Sequence, residues 1–197
     1  MVGIPRALSA AANATAARAR VQRRPSPAVA VGAIFALVFI NVGVFMLPID
    51  YRVFGAWAYP GVFVITFLAN AAIALPIPYL AIVGQVARTA DFVPLVVLTA
   101  AMASVLGESV AYAIGRIQKD LFSDHSVYRR LQGMVGQPRR AGLLLFVLAV
   151  PLNPLFDVAG LAAGALGIPY RVFFWPVFVG RLVRFAIFVW GLAFFLG

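Results

Sequence analysis

Four ionisable residues, Glu108, Asp157, Arg181 and Arg184, stand inside stretches that are otherwise apolar. A charge facing hydrocarbon costs on the order of 3 kcal/mol or more, so such residues turn toward protein or water and often carry function. Arg181 and Arg184 are three apart and share a helix face. A guanidinium matches phosphate geometry, so this pair suits a lipid phosphate in a wet cavity. Snorkelling toward an interface is the plainer reading of the same two residues. Glu108 lies about eight residues, roughly 12 Å, from the cytoplasmic end of its helix, and Arg181 about ten residues, roughly 15 Å, from the same side. Matched depths predict that Glu108 pairs with Arg181 or Arg184. The competing reading is an ion pair that only closes the bundle. Asp157 follows Pro154 at the start of a short helix, where the dipole favours an anion whether or not a substrate is present. Asn153, Asn70 and Gln85 are candidates to line the same cavity, although Asn also serves simply to cap a helix.

Enzymatic chemistry finds little support. No His/Cys/Asp cluster has metal-ligand spacing, so neither metal nor cofactor is expected. The single histidine, His125, lies in a polar loop and forms no Ser–His pair.

The elements that must position the four charges are membrane helices. Of 197 residues 63% are hydrophobic and 11% are charged, against roughly 25% charged in a soluble domain. A soluble domain of this size cannot hide that much apolar surface. There is no cysteine, which excludes disulfides and thiolate chemistry. The net charge of +10 is concentrated in residues 1–27 and in the stretch 116–140. Basic loops flanking membrane spans explain this better than nucleic-acid binding does.

Residues 1–27 read as a basic cytoplasmic tail and 28–197 as one membrane domain. Ala28–Leu47 is an uninterrupted apolar run, long enough to cross about 30 Å of hydrocarbon. Residues 61–75 would make a helix of about 22 Å, too short to cross. Pro76 and Pro78 then remove two backbone donors, and a second short piece runs from Tyr79 to Ala87. Residues 92–116 form a full span. The same grammar returns: a short apolar piece, the break at Pro151 and Pro154, a second short piece, and a long span over 171–197. Pro78 to Gly84 and Pro154 to Gly160 have equal spacing. Matching breaks in two halves point to an internal repeat with a site at the junction. If 60–88 crossed the membrane, the basic loop 117–139 would face outward, against the charge rule. The expected architecture is therefore all-α: one N-terminal transmembrane helix, then an inverted repeat of re-entrant hairpin plus transmembrane helix, with hairpins at 60–88 and 140–168. Tyr128, Arg129, Arg130 and Leu131 suggest that the loop rests on anionic headgroups.

Three stretches carry a family resemblance: LPIPYLAIVG at 75–84, GESVAYAIGR at 107–116, and VPLNPLFDVAGLAAGALGIPYRVF at 150–173. In order and spacing they resemble the DedA/VTT-domain (SNARE-associated Golgi protein-like) family. Gly107, Glu108, Tyr112 and Gly115 are similar to its glycine–acid–tyrosine–glycine helix, and Ala159-Gly160 to its second hairpin. The resemblance implies two opposed re-entrant hairpins and movement of phospholipid or polyprenyl-phosphate carriers across a bilayer, here a bacterial plasma membrane with the N-terminus inside. It does not extend to every feature. This chain has no acid between Arg52 and Arg88 and no arginine between Arg140 and Arg171, where better-known bacterial members carry theirs.

The expected function is lipid translocation through a polar cavity lined by Glu108, Asp157, Arg181, Arg184, Asn153 and Asn70. A small-solute or ion transporter, or a scaffold without transport, would use the same elements. Membrane lipids are the expected partners, with no nucleic acid; an oligomer is left open.

Overall fold

The structure, a computed structural model, describes residues 27–47, 49–72, 78–118, 137–151 and 155–196. Seven α-helices account for most of the described chain: α1 (Pro27–Met46), α2 (Ala58–Ala71), α3 (Tyr79–Thr89), α4 (Val93–Ile117), α5 (Pro138–Ala149), α6 (Leu155–Ala165) and α7 (Tyr170–Leu196). A 3-10 helix, Tyr51–Trp57, leads into α2. No strand occurs among the described residues. Residues up to Phe39 form one unit and those from Ile40 onward a second, and the buried apolar side chains belong to the second.

Proline sets several boundaries. Pro94 and Pro138 occupy the first turns of α4 and α5, where a missing N–H costs nothing because that donor has no intrahelical partner. Helix α6 ends in a Schellman motif. The Ile168 N–H donates to the Ala163 carbonyl and the Gly167 N–H to the Gly164 carbonyl, with Gly167 at φ 72, a conformation that favours glycine. Pro169 follows and cannot continue the helix.

The first arm differs from expectation. Instead of spanning 61–75, the helix ends at Ala71 and begins earlier, the 3-10 helix joining it across a kink at Gly55. The combined stretch Tyr51–Ala71, together with Val93–Ile117 and Tyr170–Phe194, is long and apolar enough to cross a bilayer. The tail up to residue 26, the loop 119–136 with His125, and Pro76, Asn153 and Pro154 lie outside the described residues.

Two apolar cores organise the helices. One joins Val62 of α2, Val83 and Val86 of α3, Val96 and Ala100 of α4, and Phe185 and Val189 of α7. The other joins Val105 and Tyr112 of α4, Leu145 and Ala149 of α5, Ala163 of α6, and Phe173 and Val177 of α7. Helix α4 therefore runs from the first core to the second, and α7 runs from the second to the first.

Each short first arm lies along a long helix and stops partway. The α2 end meets α4 at Gly107, where an added Cβ would meet Asn70 and the Ala71 nitrogen. The α5 end meets α7 at Gly180, where it would meet Ala149. Helices α4 and α6 touch backbone to backbone. A Cβ on Gly115 would collide with the Leu161 carbonyl, and one on Gly164 with the Tyr112 carbonyl, while Gly160 lies against the Glu108 carbonyl. Small residues permit this approach.

A Gly164→Ala substitution should therefore lower the midpoint of thermal unfolding in detergent, by an amount equivalent to about 1–3 kcal/mol or more. Gly191→Ala, whose Cβ would have nothing within 4 Å, should not lower it.

Candidate functional site

Where α4 passes α7, each helix brings one charge into the interior. Glu108 forms an ion pair with Arg181, and each side chain is only 1% exposed. On α7, Arg181 falls between Val177 of one core and Phe185 of the other, so the pair sits at the junction of the two halves. The face of α4 that carries Glu108 also carries Ala100, Ser104, Ala111 and Gly115, and all five are buried. Their spacing of three to four residues keeps them on one side of the helix. No hydrogen bond beyond the ion pair reaches the buried Glu108 carboxylate among the described residues.

One turn along α7, Arg184 is 8% exposed. Its Nη2 donates to the Tyr79 hydroxyl at 3.1 Å, and its buried Nε has no hydrogen-bond partner. Tyr79 is the first residue of α3, directly after the proline break, and its ring meets Phe185 edge-on at 6.3 Å. Arg184 therefore reaches the first residue of α3. It does not snorkel.

A second polar group lies on the α2–α4 contact. Asn70 donates through Nδ2 to the Thr66 carbonyl at 2.7 Å and accepts from the Ser104 hydroxyl at 3.0 Å. Ser104 stands one turn from Glu108, and Gly107 packs beside Asn70. Thr66 Oγ1 is buried without a hydrogen-bond partner. Polar groups from α2, α3, α4 and α7 thus occupy one level of an otherwise apolar interior.

Not every candidate is brought there. Gln85 is corrected by the structure: its amide leaves the centre and donates to the carbonyls of Val44, Phe45 and Leu47 at 2.7–2.9 Å, at the end of α1. Asn70 is buried, but it is engaged in joining α2 to α4. Asp157 lies on the first turn of α6, where only its backbone is described. Pro78 precedes α3 and Pro151 follows α5, each at a helix boundary.

Tyr112 has a fixing role: its hydroxyl donates to the Ile168 carbonyl at 2.6 Å, and Arg116 reaches the same oxygen at 3.3 Å. Together they tie the end of α6 to the end of α4. Tyr79 was not among the site residues expected from the sequence. The available signal was its place as the first aromatic hydroxyl after Pro76-Ile77-Pro78.

Apolar helices with their charges drawn into the interior define an integral membrane protein. The VTT domain signature matches residues 75–194, more than half of the chain, and the chain belongs to this DedA/SNARE-associated Golgi protein family. No curated protein and no solved structure matches it.

Replacing one member of the ion pair leaves the other buried and uncompensated. Glu108→Gln should destabilise the detergent-solubilised protein by about 3–5 kcal/mol. Combining Glu108→Met with Arg181→Met should recover most of that loss in a thermal melt. Additive losses in the double variant would show that the two charges do not depend on each other.

Proposed function

We propose that this protein moves lipid headgroups across the membrane along the polar level at the junction of its two halves. The supporting observation is the ion pair Glu108–Arg181 together with Arg184, all within the buried interior.

The placement of the short helices favours re-entrant hairpins. Residues before α2 (Asp50, Arg52) and at the end of α3 (Arg88, Thr89) line one cavity, which supports a segment that returns to the end from which it entered. In the second half, the start of α5 (Pro138, Arg139) and the start of α7 (Arg171, Val172) line a common groove. The α-helical part of the first arm has 14 residues, about 21 Å, short of the roughly 30 Å hydrocarbon core. Its 3-10 lead carries Arg52 and an exposed Trp57, residues suited to the headgroup level. Because α4 and α7 run in opposite senses between the cores, the two hairpins would enter from opposite faces. Such an arrangement would make the inverted repeat expected from the proline breaks.

On this reading Arg184 is the phosphate receptor. Its Nε is free of hydrogen bonds, and the Tyr79 hydroxyl is a partner that a phosphate oxygen can replace. Arg181 balances Glu108 and keeps the junction closed until a headgroup arrives, while the acyl tails stay in lipid. Asn70 and Ser104 would extend the polar path. The basic loop would face anionic headgroups of the cytoplasmic leaflet, with the N-terminus inside, in a bacterial plasma membrane. No covalent step, metal or cofactor is assigned.

The near-complete burial of the ion pair favours a second reading, a scaffold whose charges only hold the fold. Proteoliposomes with a fluorescent lipid in both leaflets separate the two. Wild-type protein should let an external quencher reach the inner leaflet's label. Arg184→Gln should slow this about tenfold, the weight of one charge-assisted hydrogen bond, with Arg184→Lys intermediate. Flipping no faster than in protein-free vesicles would support the scaffold, and solute flux without lipid movement would support a small-solute transporter.

A further inference from the structure

A cavity of about 370 Å³ opens where the end of α1, the 3-10 helix and the end of α3 meet. Its polar lining comes from Asp50, Arg52, Gln85, Arg88 and Thr89, and its apolar lining includes Phe45 and Leu47. It lies beside the end of α3, away from the Arg184–Tyr79 contact at the start of that helix.

Gln85 carries the chemical signal. It is 5% exposed, and its amide nitrogen faces three carbonyl oxygens at 2.7–2.9 Å. The reversed amide would set oxygen against oxygen, so the orientation is fixed. The remaining atom, Oε1, is buried and has no hydrogen-bond partner. A buried acceptor in that state calls for a donor. The carboxylate of Asp50 accepts the Arg52 backbone N–H at 2.9 Å and keeps further acceptor capacity. Arg88 is held over the Phe45 ring, 5.6 Å from its centroid, a cation–π contact that fixes the guanidinium at the rim.

Two guanidinium groups, one carboxylate and one unpartnered amide oxygen around a single cavity describe a zwitterion with a phosphate and a primary ammonium. We propose that this cavity seats the phosphoethanolamine headgroup of a membrane lipid, its phosphate against Arg52 and Arg88 and its ammonium between Asp50 and Gln85 Oε1. A quaternary ammonium has no N–H for Oε1 and would want an open aromatic face, whereas Arg88 covers the face of Phe45. Phosphatidylcholine is therefore disfavoured. A glycerol headgroup brings no positive charge for Asp50. A lipid is favoured over a soluble phosphoethanolamine because Phe45 and Leu47 continue the lining, and because Tyr51, Trp57 and Tyr59 stand at the head of the span Tyr51–Ala71. Trp and Tyr concentrate at that level of a membrane.

The test is native mass spectrometry of the full chain released from nanodiscs with equal amounts of phosphatidylethanolamine, phosphatidylcholine and phosphatidylglycerol. Phosphatidylethanolamine should be retained over phosphatidylcholine about tenfold, as one charge-assisted hydrogen bond would give. Asp50→Asn, which preserves the helix cap, should bring that ratio near one, and Arg88→Gln should lower retention of all three lipids. Equal retention of the first two lipids, or stronger retention of phosphatidylglycerol, would overturn the proposal, as would an unchanged ratio in Asp50→Asn. Soluble O-phosphoethanolamine at equal concentration should not displace the lipid; displacement would overturn the lipid assignment. Arg184→Gln should leave the ratio unchanged, so this site and the transport reading stand or fall separately.

Discussion

A carboxylate and a guanidinium inside hydrocarbon must find each other, and the arrangement of this protein depends on that requirement. Glu108 and Arg181 come from different halves of the chain and from the two longest helices of the inner bundle. They meet because α4 and α7, which run in opposite senses between the two cores, pass side by side at a fixed register. That register in turn sets where each short helix stops. Gly107 and Gly180 each stand one residue before a member of the pair, and each receives the end of a short arm. A bulkier residue at either position would push the arm away and open the ion pair to lipid, where an uncompensated charge is costly.

Glycine and tyrosine hold the second half in this register by different means. Gly115 and Gly164 let the α4 and α6 backbones touch, which maximises van der Waals contact where no hydrophobic drive exists between helices in lipid. Tyr112 and Arg116 then capture the Ile168 carbonyl, freed where α6 ends. A buried carbonyl left without a partner would cost several kcal/mol. The motif around Glu108 is thus one device: the acid joins the two halves, the glycines admit α6, and the tyrosine closes its end.

Much of this could be read from residue order because the apolar medium makes each signal strong. Unbroken apolar runs became α1, α4 and α7 within one or two residues of the expected bounds, since backbone in lipid has to satisfy itself. Depth was readable for Glu108 and Arg181 because rise per residue is fixed. Direction was not. Gln85 belongs to the same short segment as Tyr79, yet its amide turns to the end of α1 while Tyr79 meets Arg184. On a helix of 11 residues, six positions of separation set two side chains about 9 Å apart along the axis, and only tertiary packing decides which of them is central. The first arm was misjudged for a related reason. The polar Asp50 and Arg52 masked a 3-10 turn that prolongs α2, and the kink at Gly55 has no periodic signature.

The placement of the arginines also bears on how an anion would cross. Arg52 and Arg88 line one cavity, and the helix starts of the second half hold Arg139 and Arg171. Two pairs of guanidinium groups thus flank a central level occupied by Arg181 and Arg184. A single anionic group travelling between the faces would meet arginine at the start, middle and end of its path. Only the central level is shut from water, and there one of the two cations is already balanced by Glu108. The barrier to such a path would lie at this junction, where the Glu108–Arg181 pair and the Arg184–Tyr79 contact are both buried.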